Sequence, residues 1–293
     1  MFSYKSPENS LNYGYKPEKQ IILMRYLANF FIKLFRLNTN FRFITELQQM
    51  IKPTISVDIP DGNKLSFVTG HGRLVWRAKT FIFEEPELIE WIDTFSKNDV
   101  FFDVGANVGC YSLYCSKFKK VKTYSFEPEI NNLQLLNENI FINNLSEKCI
   151  PIPLACHNKT EINPFHIREF TKGGAINSIG RDSLFLENKS IENYCQQTLC
   201  MTLDDVIDIF NIDIPTKIKI DVDTNELQVV LGLKKYIKHV KEIYIELYKN
   251  FNEHKEVIDF LNQNGFTDCV QFEAKAPLQY KGKVLNCLFK KVE

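Results

Sequence analysis

Thirteen residues constrain the fold more than any other part of the chain: Val100-Phe101-Phe102-Asp103-Val104-Gly105-Ala106-Asn107-Val108-Gly109-Cys110-Tyr111-Ser112. An unbroken apolar run reaches an acid, and a turn with two glycines then opens into a helix expected over 110–119. Such a run reads as a strand buried on both faces. Residues without a Cβ let the backbone take positive φ and come close to a ligand. Asp103 is expected at the lip of that turn, with Gly105, Asn107 and Gly109 around the same ligand. The spacing Gly105-x-x-x-Gly109 lacks the third glycine of a dinucleotide-binding turn. An acid there suits a cationic or hydroxyl-bearing ligand better than a bare phosphate.

A second acid follows at the matching place. Residues 121–126 read as a short strand ending in Glu127-Pro128, with Pro128 suited to open the next helix. A carboxylate about 20 residues past a glycine turn is where a nucleoside ribose is held through its hydroxyls. Alternatively, Glu127 favours the helix N-terminus by its charge alone.

From Asp99 onward strands and helices alternate, which predicts a mostly parallel sheet with helices on both faces. Strands are expected near 100–104, 122–126, 149–153, 217–221 and 242–246, and helices near 110–119, 129–143, 203–210, 226–232 and 254–263. Segments 268–272 and 284–289 read as a terminal hairpin that makes the last strand antiparallel. Residues 172–189, small and polar around Gly173-Gly174, break the alternation and read as a lid over a site or as an ordinary surface loop. A helix over 87–95 leads into the glycine turn.

The first 80 residues do not share this alternation, so the expected division is an extension over 1–80 and a main domain over 81–293. Within the extension, 1–18 is a loose lead-in and 20–37 is an amphipathic helix carrying Arg25, Lys33 and Arg36. That helix is too short and too charged to span a bilayer; it packs on its own domain or a partner, or lies on a membrane surface. A second helix is expected over 43–51, and 55–59 with 65–68 flank the hairpin signal Asp61-Gly62-Asn63.

Acidic and basic side chains balance at 36 each, so bulk charge gives no pull toward nucleic acid. The eight cysteines show no C-x-x-C pair and no secretory signal precedes them, which predicts reduced thiols in a cytoplasmic protein. Room is left for a homo-oligomer.

Together these residues resemble the FkbM family of S-adenosyl-L-methionine-dependent methyltransferases. Asp103 to Gly109 followed by Tyr111-Ser112 resembles its first motif, and Phe126-Glu127-Pro128 its second. Leu154-Ala155-Cys156-His157 resembles the strand end beside the adenine; Thr202-Leu203-Asp204-Asp205 and Lys219 to Leu227 resemble its fourth-strand site. The resemblance covers roughly 80–290. It implies a Rossmann-like class I fold with a seven-stranded sheet, and S-adenosyl-L-methionine as cofactor, held by Asp103, Gly105, Asn107, Gly109, Glu127, Cys156 and His157. That cofactor has an ammonium, a sulfonium and a ribose diol but no phosphate. The family usually has Glu-Gly where this chain has Asp223-Thr224.

The resemblance further implies methylation of a hydroxyl on a small-molecule or carbohydrate acceptor, such as a sugar, glycan or glycolipid precursor. A lipid-linked or polyketide-like acceptor, and a non-catalytic cofactor-binding subunit, are the alternatives. An alcohol must lose its proton as the new bond forms, which calls for a base. Asp221 at a strand end, Glu246 at the end of the neighbouring strand and His254 opening the next helix are the candidate catalytic residues. They read as a proton-accepting group or as an oxygen-rich metal site, though no spacing is specific enough to assign a metal. The other reading is that Asp221 holds Lys219 or the loop backbone and His254 caps a helix.

Overall fold

The structure is a computed structural model that describes residues 53–59, 62–167, 171–175, 177–179, 194–249, 252–274 and 284–292, with residues 26, 27, 30, 31, 33, 34 and 46. Of the expected helix over 20–37, Tyr26, Leu27, Phe30, Phe31, Lys33 and Leu34 are helical and exposed; its other residues lie outside the described ones. The same holds for 1–18 and, apart from helical Glu46, for 43–51.

Strands β1 (Thr54–Asp58) and β2 (Lys64–Val68) form the antiparallel hairpin, joined through Gly62 at φ +74°. Two helices follow, α1 (Gly72–Glu84) and α2 (Pro86–Asp93), the second with its proline in the first turn. The main sheet begins with β3 (Val100–Val104), and the glycine turn leads into α3 (Cys110–Tyr114), continued by a π-helical turn over Cys115–Lys119. Then come β4 (Lys122–Phe126), α4 (Ile130–Ile142) and β5 (Cys149–Ile152). A second group contains β6 (Ala155–Cys156), β7 (Glu161–Ile167), β8 (Ser178–Ile179) and β9 (Tyr194–Met201). The chain returns to the main sheet through α5 (Leu203–Phe210), β10 (Lys217–Ile220), α6 (Glu226–Leu231), β11 (Glu242–Tyr248), α7 (Asn252–Gln263), β12 (Asp268–Glu273) and β13 (Val284–Lys290).

Seven strands form one sheet in the order β12-β13-β11-β10-β3-β4-β5. The run β11-β10-β3-β4-β5 is parallel, and β13 enters antiparallel to β11. This is the Rossmann-like, mostly parallel seven-stranded arrangement expected from the sequence. Both faces of the sheet are covered, which is why β3 reads as continuously apolar. Phe101 packs with Trp91, Phe95 and Tyr244 on one side, while Phe102 packs with Tyr124 and Phe126 on the other. Each of those phenylalanines, fully buried, contributes roughly 1.5–3 kcal/mol of transfer free energy.

The sequence reading did not anticipate two parts of this architecture. The first is α1, whose buried residues Leu74, Ala78, Thr80 and Phe81 turn one face into the first core. The expected division at residue 80 falls inside it. The hairpin shares that core through Leu65 and Phe67, and side chains of α4 and of its C-terminal cap occupy its hydrogen-bonding edge: Val68 N–H donates to Asn139 Oδ1 (2.7 Å) and Ser66 N–H to Asn143 Oδ1 (3.0 Å). Covering an edge strand in this way satisfies backbone groups that would otherwise pair elsewhere. The second is the four-stranded sheet β6-β9-β7-β8, which takes Ser178 and Ile179 out of the expected loop and pairs them with β7.

A candidate active site at the strand ends

The C-terminal ends of β3, β4, β10 and β11 converge on a cavity of about 570 Å³. Its wall includes Gly105 to Val108 of the turn, Glu127, the apolar group Leu154, Ala155, Cys156, Phe165 and Ile179, and a polar end with Glu85, Tyr111, Lys219, Asp221, Glu246 and Asn286. Placement of a ligand at strand ends is what an open α/β sheet offers.

The turn is fixed by two glycines with different tasks. Gly105 sits at φ +84°, and a Cβ there would lie 1.9 Å from the Asp221 carbonyl oxygen, so the turn can approach β10 only without a side chain. Gly109, at φ +88°, does not line the cavity; a Cβ on it would meet Leu136 of α4 at 2.4 Å, so its task is helix packing. Gly105 and Ala106 N–H both donate to the Phe126 carbonyl, which ties the turn to β4.

Glu127 is 5% exposed, and both its oxygens are oriented by main chain: Oε2 accepts from Asn107 N–H (2.7 Å) and Oε1 from Glu129 N–H (2.9 Å). Burial raises its pKa to about 7, against the pull of those two N–H groups. Each oxygen keeps a second lone pair for a ligand hydroxyl.

Residues 171–175 and 177–179 run past this end of the cavity. Gly173 N–H donates to Asn132 Oδ1 (2.8 Å) while its carbonyl accepts from Arg77 Nε (2.9 Å). The Gly174 carbonyl accepts from Asn107 Nδ2 (2.7 Å) and Asn132 Nδ2 (3.2 Å), and Asn177 N–H donates to Asp223 Oδ2 (3.2 Å). Gly174, Ala175, Asn177 and Ile179 line the cavity, so the segment links the glycine turn to the loop after β10. Residues 180–189 of the expected lid lie outside the described ones.

At the polar end, Lys219 lies in β10 and Asp221 just after it, with the Lys219 ammonium 3.2 Å from Asp221 Oδ2 and 3.5 Å from Asp103 Oδ1. Burial alone would push that ammonium's pKa down, but Asp221, Asp103 and Glu85 outweigh it and raise the value. Glu85, at the break between α1 and α2, accepts from Asn286 Nδ2 (3.0 Å) and is raised to about 7 by burial and then by Asp221. Glu246 is raised well above the ordinary carboxylate range by burial, then by Asp221 and Glu85. A cavity carrying so many carboxylates suits a ligand that brings positive charge.

Six residues expected at the site from sequence do line the cavity: Gly105, Asn107, Glu127, Cys156, Asp221 and Glu246. Four do not. Asp103 is fully buried beneath the turn, accepting from Ser112 Oγ (2.5 Å), because its strand position points it under the sheet surface toward α3 rather than outward. Gly109 is the packing glycine described above. His157 faces a shallower recess with Asn225 and Gln228, since its N–H pairs with Met201 at the end of β9 and turns the ring away. His254 Nδ1 hydrogen-bonds the main chain of Tyr248 and its Nε2 lies 3.6 Å from the buried Glu226, so it fixes the end of β11 from behind. Among the described residues no group of three or more His, Cys, Asp or Glu side chains is arranged to hold a metal ion.

Asp223 and Thr224 both take positive φ, +51° and +87°. For a β-branched residue this is a strained conformation, costing roughly 1–3 kcal/mol. Thr224→Gly is therefore expected to stabilise the protein by about 1 kcal/mol after the larger chain entropy of glycine is subtracted. Urea unfolding measures it; a lower midpoint in the variant would show that the turn is not strained.

Residues 103–267 match the family model described as the methyltransferase FkbM domain. The chain is 21% identical over 189 residues to the hexuronic acid methyltransferase AglP of Haloferax volcanii, covering 64% of this chain and 72% of that protein. Among solved structures, precorrin-6y C5,15-methyltransferase from Geobacter metallireducens is similar at TM-score 0.44 and 12% identity, covering 80% of this chain and 98% of that one. TYW2 of M. jannaschii, solved in complex with AdoMet, is similar at TM-score 0.41 and 16% identity, covering 78% and 83%.

Proposed function

The match takes in more than half of the chain, so the protein belongs to the FkbM methyltransferase family, and from that premise we propose that it methylates a hydroxyl of a sugar, glycan or glycolipid precursor with S-adenosyl-L-methionine. The observation that carries this reading is one cavity with a ribose-type carboxylate at one end and a carboxylate-rich polar end beside Asp221. The donor set fits the cofactor. Glu127 offers oriented acceptors for a diol, Leu154, Ala155, Cys156 and Phe165 offer an apolar slot for a flat base, and the acids near β10 and β11 suit a cation. When bound, S-adenosyl-L-methionine supplies an electrophilic methyl carbon next to its positive sulfur.

The residues of the chain do the rest. Gly105 and Asn107 set the floor of the cavity, and the Gly173-Gly174 segment excludes water from the base end. Asp221 takes the proton of the acceptor hydroxyl onto its carboxylate, with Lys219 holding that carboxylate in place at 3.2 Å. Glu246 lines the same polar end of the cavity, where burial and then Asp221 push its carboxyl above the ordinary carboxylate range. Fixing the acceptor oxygen in line with the bond to be broken contributes up to roughly 7–11 kcal/mol. The kinship with a hexuronic acid methyltransferase supports a sugar acceptor.

Incubation of the full chain with radiolabelled S-adenosyl-L-methionine and a panel of free and lipid-linked sugars tests this. Transfer of label to a sugar oxygen, with stoichiometric S-adenosylhomocysteine, is expected. Label moving only to polyketide-like alcohols, or binding without turnover across the panel, would count against the sugar assignment.

A further inference from the structure

We propose that Lys219 binds the carboxylate of the methyl donor's amino-acid end. This rests on the reading that the cavity takes an S-adenosyl ligand, and it goes beyond it by assigning one group of that ligand to one side chain.

An amino-acid end brings both an ammonium and a carboxylate. The ammonium finds acids at this end of the cavity in Asp223, Glu85 and Glu246. The carboxylate needs a cation, and among the described residues lining the cavity the cations are Arg77 and Lys219. Arg77 commits its Nε to the Gly173 carbonyl, on the side of the glycine turn and lid segment. Lys219 stands at the acid-rich end, directly beside Asp103 in the paired strand.

Its ammonium is also under-used. The residue is 2% exposed, yet the only hydrogen bond it makes among the described residues is to Asp221 Oδ2 at 3.2 Å. The Asp103 contact at 3.5 Å is a long ion pair, and Asp103 Oδ1 has no hydrogen-bond partner. An ammonium has three N–H donors. Only one of them meets an acceptor among the described residues, so the ammonium is placed to donate to a group that enters from the cavity. The same two carboxylates that flank Lys219 keep it charged for that acceptor. Tyr111, whose ring centroid is 5.7 Å from the ammonium, limits where it can swing.

The test varies the ligand as well as the protein. The full chain is titrated calorimetrically with S-adenosylhomocysteine and with its decarboxylated analogue, S-adenosyl-3-thiopropylamine. The wild type is expected to bind the carboxylate-bearing ligand about 30-fold more tightly, the worth of a buried charge-assisted contact. In Lys219→Met that preference is expected to shrink to within about twofold, a change that a merely structural lysine would not produce. Because the single substitution strands Asp103 without its counter-ion, Asp103→Asn combined with Lys219→Met is measured alongside and is expected to show the same loss. Equal affinity of the wild type for the two ligands overturns the proposal, as does a folded variant that keeps the preference; if neither variant folds, the wild-type comparison decides. A wild type that binds neither ligand removes the adenosyl reading itself, and this assignment with it, which is a different result from binding both alike.

Discussion

Asp221→Asn is expected to lower turnover by about a hundredfold to ten-thousandfold, the range over which positioned general bases act, while affinity for S-adenosylhomocysteine stays within a few-fold of the wild type. The amide keeps the shape of the side chain and can still accept from Lys219, so the wall of the cavity is preserved. What it loses is the ability to take a proton from the acceptor hydroxyl. Steady-state rates at saturating donor, paired with a binding titration, separate the two effects. Normal turnover would remove Asp221 from the chemistry; a parallel collapse of binding and turnover would make it part of the donor site.

Glu127→Gln is expected to weaken S-adenosylhomocysteine binding by about a hundredfold, because one acceptor oxygen becomes a donor and the other loses its charge assistance. The carboxylate is held by Asn107 and Glu129 N–H groups, so its orientation is set before any ligand arrives, and the preorganisation would make the loss large. The same substitution carries a second signature. A carboxyl with a pKa of about 7 in the folded chain and an ordinary value of 4.5 binds more protons folded than unfolded between those limits. Its contribution is therefore favourable at low pH and is lost as pH rises from about 4.5 to 7, by at most about 3 kcal/mol. The glutamine variant should show a flatter decline of stability over that window. An unchanged pH slope would mean that Glu127 ionises freely in the fold.

Much of this architecture could be read before the structure was in hand, and the reasons are local. β3 is buried on both faces and reads as an apolar run up to Asp103, and α5 is marked by Thr202, whose side chain accepts from Asp205 N–H at the helix start. The small sheet carries no such marks: β8 is two residues long, β7 contains Pro164, and β9 pairs with β7 across a long intervening stretch. Helix α1 escaped because its buried face is narrow, with small or polar Ala78 and Thr80 beside Leu74 and Phe81, and no side chain caps its first turn.

The site followed the same rule. Strand ends located Glu127 and Asp221, yet position in a strand does not say whether a side chain enters the cavity or turns under it, and Asp103 turns under. A lysine in the middle of a buried strand was the signal for Lys219, since such a residue must have partners. Which partners depends on β10 lying beside β3, a long-range fact. Glu85 and Asn286 come from outside the matched stretch 103–267, and only the packing of α1, α2 and β13 against the sheet brings them to Asp221.

The cavity between Glu127 and Asp221 is proposed to take an S-adenosyl ligand, and calorimetric titration of the full chain with S-adenosylhomocysteine decides whether it does. Saturable binding of one ligand per chain is expected, with no heat from a phosphate-bearing dinucleotide under the same conditions. Silence toward S-adenosylhomocysteine at every concentration, or binding of the dinucleotide in its place, would overturn the assignment.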